Sequence, residues 1–479
     1  MSPPSPREPS SGSKFHEARR LMTEAPCFVL ASRLIPDQDG GFARAVMRRA
    51  YDLHSEGIDV TVLTVDPGAT ADHAEQRAEW VRRGELHDAE RMRNLFDDAR
   101  ADASWLRNAA TGTTVPAAVD YTDFFDAAGV RVLSLPIIAG DPRWHASDAP
   151  VIVYDAAGEP IGSVAGFGGL YRAWLGHVVP PDGVVIVEAR QLGELLATWQ
   201  SPARIIHTVH TNHLEPPYTP DAPVNALWTN WFAIADLFDT VVWPTEAQAA
   251  DVRARFGTAR ADVVVPNGVD SGALGVGSAS AVGESASVGG VASTGGAARR
   301  AVMVNRLAPG KRVDHAIRAW AAVIRDVPEA RLDIFGDGPE RERLAALIIE
   351  LGLSESVTLH GHVADPAECY RDADFLLLTT AFEGQGLVVG EALAAGVPVI
   401  SYDVAYGPRD VLQRGGGMLV PSGDEPALLA AILDVLHDSA LHAQLVAEAP
   451  SAVAPLERRA VSRQWADLVR SVASRPTRR

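Results

Sequence analysis

The chain is poor in cysteine, in lysine and in long apolar runs. Two of its 479 residues are cysteine, Cys27 and Cys369. That is too few for a disulfide framework and fits a thiol-reducing cytosol. No apolar run approaches the roughly 20 residues that a membrane span requires. The opening Met1-Ser-Pro-Pro-Ser-Pro-Arg7 has proline and serine where an export signal needs an apolar core, so the expected location is the cytoplasm. With 43 basic against 61 acidic residues, the formal charge is −18, and no nucleic-acid partner is expected. Lysine is nearly missing: of the 43 cations only Lys14 and Lys311 are not arginine. Lys14 lies in a Pro/Ser-rich stretch, so one ammonium is expected inside a folded region, at a point where a compact cation is needed. No Asp-x-Asp stands at a strand end to hold a metal–diphosphate, and no metal is expected.

What remains is a soluble α/β composition, 47% hydrophobic and 22% charged, in a chain long enough for two domains. Residues 1–22 read as a disordered tail. A first doubly wound domain is expected over 23–270, opening with the strand Cys27-Phe-Val-Leu-Ala31, a loop carrying Gly40-Gly41, a helix and the strand Val60-Thr-Val-Leu-Thr-Val65. Residues 75–175 break that rhythm and read as a β-rich insertion, with a hairpin turning at Asp155–Gly158. Residues 271–297, almost all Gly, Ser, Ala and Val, read as a linker or loop. A second domain follows over 298–455, and 456–479 reads as a basic helix with Trp465, Leu468, Val469 and Val472 at helical spacing.

The chemistry concentrates in Glu383-Gly-Gln-Gly-Leu-Val-Val-Gly-Glu391. The preceding Asp374-Phe-Leu-Leu-Leu378 reads as a buried parallel strand, which places Glu383 in the loop at its tip and Glu391 one turn into the next helix. Between them Gly384, Gly386 and Leu387 put backbone N–H groups at a helix N-terminus, a seat for phosphate. A carboxylate does not hold a diphosphate, so each Glu is expected to accept hydrogen bonds from hydroxyls. Hydroxyls flanking a diphosphate describe a nucleotide-sugar. Arg306 and Lys311 follow the second domain's first strand, at the carboxyl end of the sheet, where they would neutralise a diphosphate leaving group. Gly41, Gly336 in Phe335-Gly-Asp-Gly-Pro339, and Asp403 are expected to line the same pocket. In His207-Thr-Val-His210-Thr-Asn-His213, alternation sets His207 and His210 on different faces, which speaks against a shared metal. His210 at the strand tip is the better candidate for touching substrate, and His213 is open between that role and a structural one.

Taken together, Arg306-Leu-Ala-Pro-Gly-Lys311, Phe335-Gly-Asp-Gly-Pro339, Gly361-His362 and Glu383 to Glu391 resemble glycosyltransferase family 4 in order and spacing. Ser401-Tyr-Asp-Val-Ala-Tyr-Gly-Pro408 and the histidine segment are similar to a narrower branch. Its bacterial enzymes place α-linked glucose or N-acetylglucosamine on poly(glycerol- or ribitol-phosphate) teichoic acids or on serine-rich adhesins. The resemblance implies a GT-B architecture, two Rossmann-like domains facing across a cleft, and a retaining reaction with a UDP-sugar as donor and no other cofactor. It implies that Arg306 and Lys311 hold the diphosphate, Glu391 the ribose, Glu383 the sugar near C3, and His210 the C6 hydroxyl. It also implies that the last helix packs back on the first domain; contact with the inner face of a membrane is the alternative. The insertion is then an acceptor platform or a contact between copies of the chain. Gln385 stands where the family commonly has Phe, Gly390 where a larger apolar residue is usual, and Glu188 where the branch often has Asp. The competing readings are transfer to Ser/Thr of a protein, a relative that hydrolyses or epimerises a nucleotide-sugar, and a non-catalytic partner subunit.

Overall fold

A computed structural model of the chain describes residues 25–38, 40–112, 120–138, 147–257, 261–270, 300–363 and 365–479. The tail and the linker read above, 1–22 and 271–297, lie outside the described residues. Two parallel sheets dominate. The first has seven strands in the spatial order Asp262–Val264, Thr240–Trp243, Arg204–Thr208, Val184–Val187, Cys27–Ala31, Val60–Thr64, Met92–Asn94. The second has six, in the order Val357–Gly361, Arg331–Phe335, Arg300–Val304, Phe375–Leu378, Val399–Asp403, Gly417–Pro421. Their central strands are continuous Val, Ile and Leu because helices cover both faces. Val184–Val187 and Phe375–Leu378 are buried at every position. In each sheet the strand order reverses beside the first strand of the domain, and the loops at that crevice carry the candidate residues. Both cysteines are buried and unpaired.

The segment read as a 75–175 insertion divides into three. Thr70–Arg82 is an amphipathic helix. Met92–Asn94 then pairs with Val62–Thr64 as the edge strand of the main sheet, so the doubly wound domain extends past residue 75. Three residues are too few to show a hydrophobic period, and the flanking charges hide them. The antiparallel part is a four-stranded sheet of Tyr121–Phe125, Arg131–Pro136, Val151–Tyr154 and Pro160–Val164. Its Asp155 turn is closed by Asp155 N, which donates to Glu159 O at 2.9 Å, with Gly158 at φ 84°. The following helix, Gly166–Val178, places Phe167, Leu170 and Trp174 in one core with the main sheet's Val185, Val187 and Ile205.

The last helix, Arg458–Ala473, lies on the first domain although it follows the second. Val461, Trp465, Val469 and Val472 recur every three to four residues and bury against Val46, Met47 and Ala50 of the Gly40–Ser55 helix. Each large apolar side chain so covered contributes about 1.5–3 kcal/mol. Arg458 fixes the entry of this helix, donating to Asp52 at 2.8–3.0 Å and to Asp270 at 3.1–3.2 Å. Beside it Val269 N donates to Leu456 O at 2.8 Å, and Arg458 N donates to Val269 O at 3.0 Å. The two places where the chain passes between domains therefore lie side by side.

Candidate active site

Strand ends and glycines build the second domain's half of the site. Past Arg300–Val304 the chain turns through Asn305 and Arg306 and is backed by the Gly336–Gly338 loop. A Cβ at Gly336 would lie 1.8 Å from Asn305 O, and one at Gly338 would lie 2.3 Å from Leu307 O. Only glycine permits that approach, and both residues sit at positive φ. Leu307 N closes the pair of loops by donating to Asp337 O at 2.9 Å. The next turn is held from the tip of Phe375–Leu378. Thr379 Oγ1 donates to the Lys311 and Arg312 carbonyls at 3.0 and 2.8 Å, and Ala381 N donates to Gly310 O at 2.8 Å. Thr379 and Thr380 are fully buried, so this scaffold is firm. It sets Lys311 Nζ 2.6 Å from Glu383 Oε1, with both side chains half-buried.

Gly386, at φ 71°, caps the Leu387–Ala394 helix, and Glu391 lies one turn in. Its Oε2 accepts from Tyr370 Oη at 3.3 Å. Burial pushes the Glu391 carboxyl above the usual carboxylate range, against the opposing pull of the Arg44 and Arg48 guanidinium groups. Glu391 opens into a cavity of about 640 Å³ between the two domains. Of the residues singled out in the sequence, this cavity gathers Arg306, Gly336, Gly41, Leu387 and Glu391. Of its other polar lining, Arg33, Asp37, Gln38, Arg44, Arg83 and Asn305 were missed, while Asp337 and His362 were read only as parts of motifs and given no role. Asp37 is clamped by Arg83 and meets His362 across the cleft at 3.2 Å. One signal was available, since Arg44 and Arg48 stand at i, i+4 on the helix after Gly40-Gly41.

Lys311, Glu383 and His210 are not among the lining residues of that cavity; they stand at the adjoining seam between domains. Gly384 makes the seam. A Cβ there would lie 2.3 Å from His210 O and 3.1 Å from Thr211 Cα, so the two backbones touch. The His210 ring packs edge-on against Phe42, centroids 5.0 Å apart, and its Nε2 pairs with Glu188 Oε2 at 2.7 Å. Glu188 is 2% exposed. Burial would raise its carboxyl, but Arg49 and His210 outweigh that and hold it at about 2.

The flanking histidines are placed elsewhere. His207 accepts from Trp231 Nε1 at 3.2 Å, and burial drives its pKa down to about 3. His213 stacks on Tyr406 with centroids 5.8 Å apart, and burial holds it at about 4. Both are neutral packing groups at physiological pH. Asp403 is engaged by Arg409, which donates at 2.6 and 2.8 Å, and it does not line the cavity. It is the last residue of the strand Val399–Asp403 and not in the loop beyond it, and a guanidinium six residues on claims its side chain. Gln385 is 7% exposed and bonds three times with Asn267 of the first domain. Its Oε1 accepts from Asn267 N and Nδ2 at 2.7 and 2.9 Å, and its Nε2 donates to Asn267 O at 3.0 Å.

Residues 296–452 match the family model described as Glycosyl transferases group 1, and 127–272 match that described as Glycosyltransferase Family 4. An exopolysaccharide phosphotransferase of Streptomyces coelicolor is 39% identical over 36% of this chain and 19% of its own length. A poly(glycerol-phosphate) alpha-glucosyltransferase of Bacillus subtilis is 35% identical over 30% of this chain and 21% of its own. The chain thus spans about a fifth of the length of these curated relatives. Among solved structures, TarM of S. aureus, crystallised as a point mutant with fondaparinux, alpha-GlcNAc-glycerol and UDP, superposes with a TM-score of 0.71 at 17% identity. That match covers 93% of this chain and 99% of TarM. The fold is GT-B.

Proposed function

We propose that this chain, which carries glycosyltransferase family 4 and group 1 domains, is a retaining hexosyltransferase. On this reading it moves glucose or N-acetylglucosamine from a UDP-sugar to a polyol-phosphate polymer. Two adjoining observations carry the reading: Arg306 and the buried Glu391 line the interdomain cavity, and the Lys311–Glu383 pair stands at the seam beside it. An ammonium has three donors, so Lys311 can hold Glu383 and a phosphate oxygen together. Arg306, in the same loop system, supplies the second positive charge. The two would absorb the charge that develops on a departing UDP. Glu391 accepts from the ribose hydroxyls. Glu383, ion-paired with Lys311, stands beside the sugar. Attack from the face that the diphosphate leaves, with a leaving phosphate oxygen taking the acceptor's proton, gives retention without a covalent sugar–enzyme bond. No helix of the described residues is long and apolar enough to cross a membrane. The polymer would be met at the inner face of the membrane.

The test is UDP release from UDP-glucose and UDP-N-acetylglucosamine, with and without poly(glycerol-phosphate) or poly(ribitol-phosphate). Release stimulated by one polymer is expected. The absence of both UDP release and UDP binding would overturn the reading. Glu391→Ala is expected to weaken UDP affinity about tenfold or more, the worth of one or two hydrogen bonds to a charged acceptor. Calorimetric titration with UDP measures this, and an unchanged affinity would remove Glu391 from the ribose.

A further inference from the structure

Glu188 is joined to the donor-side loop through a chain of buried hydrogen bonds that crosses the domain seam. Its Oε1 accepts from Arg49 Nη1, and its Oε2 faces Thr208 Oγ1 and His210 Nε2. The other arm of Arg49 donates to Asn267 Oδ1 at 3.0 Å, and its guanidinium lies 4.3 Å from the Trp465 ring centroid. Gln385, two residues past Glu383, accepts from the Asn267 amide and so dictates which way that amide points. Arg49 has no freedom to turn. It presents a donor to one Glu188 oxygen and leaves the other to be shared by the histidine and the Thr208 hydroxyl.

We propose that Glu188 is a positioning residue that holds His210 as the Nε2–H tautomer. The Arg49–Asn267–Gln385 chain ties that state to the closed seam beside Glu383. A carboxylate can only accept, so the ring nitrogen 2.7 Å from it must carry the proton. Nδ1 is then the ring's acceptor, suited to a hydroxyl that donates. The use made of that acceptor, toward a hydroxyl of the donor sugar, rests on the transferase reading; the tautomer does not. The apolar residue common at 385 in the resembling family could not orient Asn267, so this coupling belongs to the Gln385 variant of the motif.

Glu188→Gln separates the possibilities because it keeps the shape. Arg49 still demands an oxygen on its side, which turns the new NH2 toward His210. A donor facing Nε2 forces the proton to Nδ1. The measurement is the ¹⁵N pattern of histidine-labelled full-length protein at pH 8, with His210 assigned by its loss in His210→Gln. The expected result is Nε2–H in the wild type and Nδ1–H in Glu188→Gln. Any other pair of states overturns the proposal. Should the variant fail to fold, the wild-type spectrum decides alone, since any state but Nε2–H contradicts it. A parallel kinetic arm expects Glu188→Gln to lower kcat about tenfold with donor KM within twofold. Wild-type protein with the expected tautomer but no UDP release would overturn the transferase reading alone. Release with the wrong tautomer would overturn this inference alone.

Discussion

Lys311→Ala is expected to lower UDP turnover about 10²–10³-fold, the usual loss when one preorganised charge is removed from a developing anion. Folding should be intact, because the loop is held by Thr379, Thr380 and Ala381 through the backbone of 310–312 and not through the ammonium. The loss should fall mainly on kcat, since charge on the leaving oxygen is greatest in the transition state. Lys311→Arg should not restore the rate. Its planar fork is larger and differently directed, and the site is crowded: a Cβ added at the neighbouring Gly310 would already lie 3.1 Å from the Phe382 ring. Single-turnover assays on variants of matched melting temperature make the comparison. An alanine variant within threefold of wild type would remove Lys311 from leaving-group stabilisation.

Gly384→Ala is expected to cost about 10²-fold in turnover, as for other misplacements of about 1 Å within a reacting constellation. The new methyl would face the His210 carbonyl oxygen at 2.3 Å and its carbon at 2.8 Å. Both are backbone atoms and cannot rotate away, so the seam must open. UDP affinity should change by threefold or less, because Arg306 and Glu391 line the main cavity and Gly384 does not. That contrast between binding and turnover is the measurement. Near-normal turnover would mean that the working enzyme does not close on the Gly384–His210 contact.

The sequence made the architecture plain for physical reasons. Buried parallel strands such as Val184–Val187 and Phe375–Leu378 are apolar throughout, and the helices between them keep a 3.6-residue period. Glu383, Glu391, Arg306 and Lys311 stood out because each follows a strand tip, where an α/β sheet binds ligands. Residue spacing could not reveal which side chains were already taken. Asp403 ends a neighbouring strand of the same sheet, yet Arg409 engages it. Gln385 looked like a departure in the donor pocket, whereas its partner Asn267 lies 118 residues away across the seam. Met92–Asn94 was hidden by its length. Asp37 and His362 meet only because two domains face each other.

The paired crossings at Val269 and Leu456–Arg458 give the molecule a mechanical character that neither domain has alone. Two adjacent attachments act as a single short pivot, and everything else in the cleft is a lever arm measured from it. Asn267 and Gln385 sit near the pivot; Asp37 and His362 meet across the cleft, in the lining of the main cavity at its rim. A rotation of a few degrees barely strains the bonds beside the pivot and displaces the rim the most. Opening and closing are therefore expected to move the Asp37–His362 contact more than the Asn267–Gln385 one.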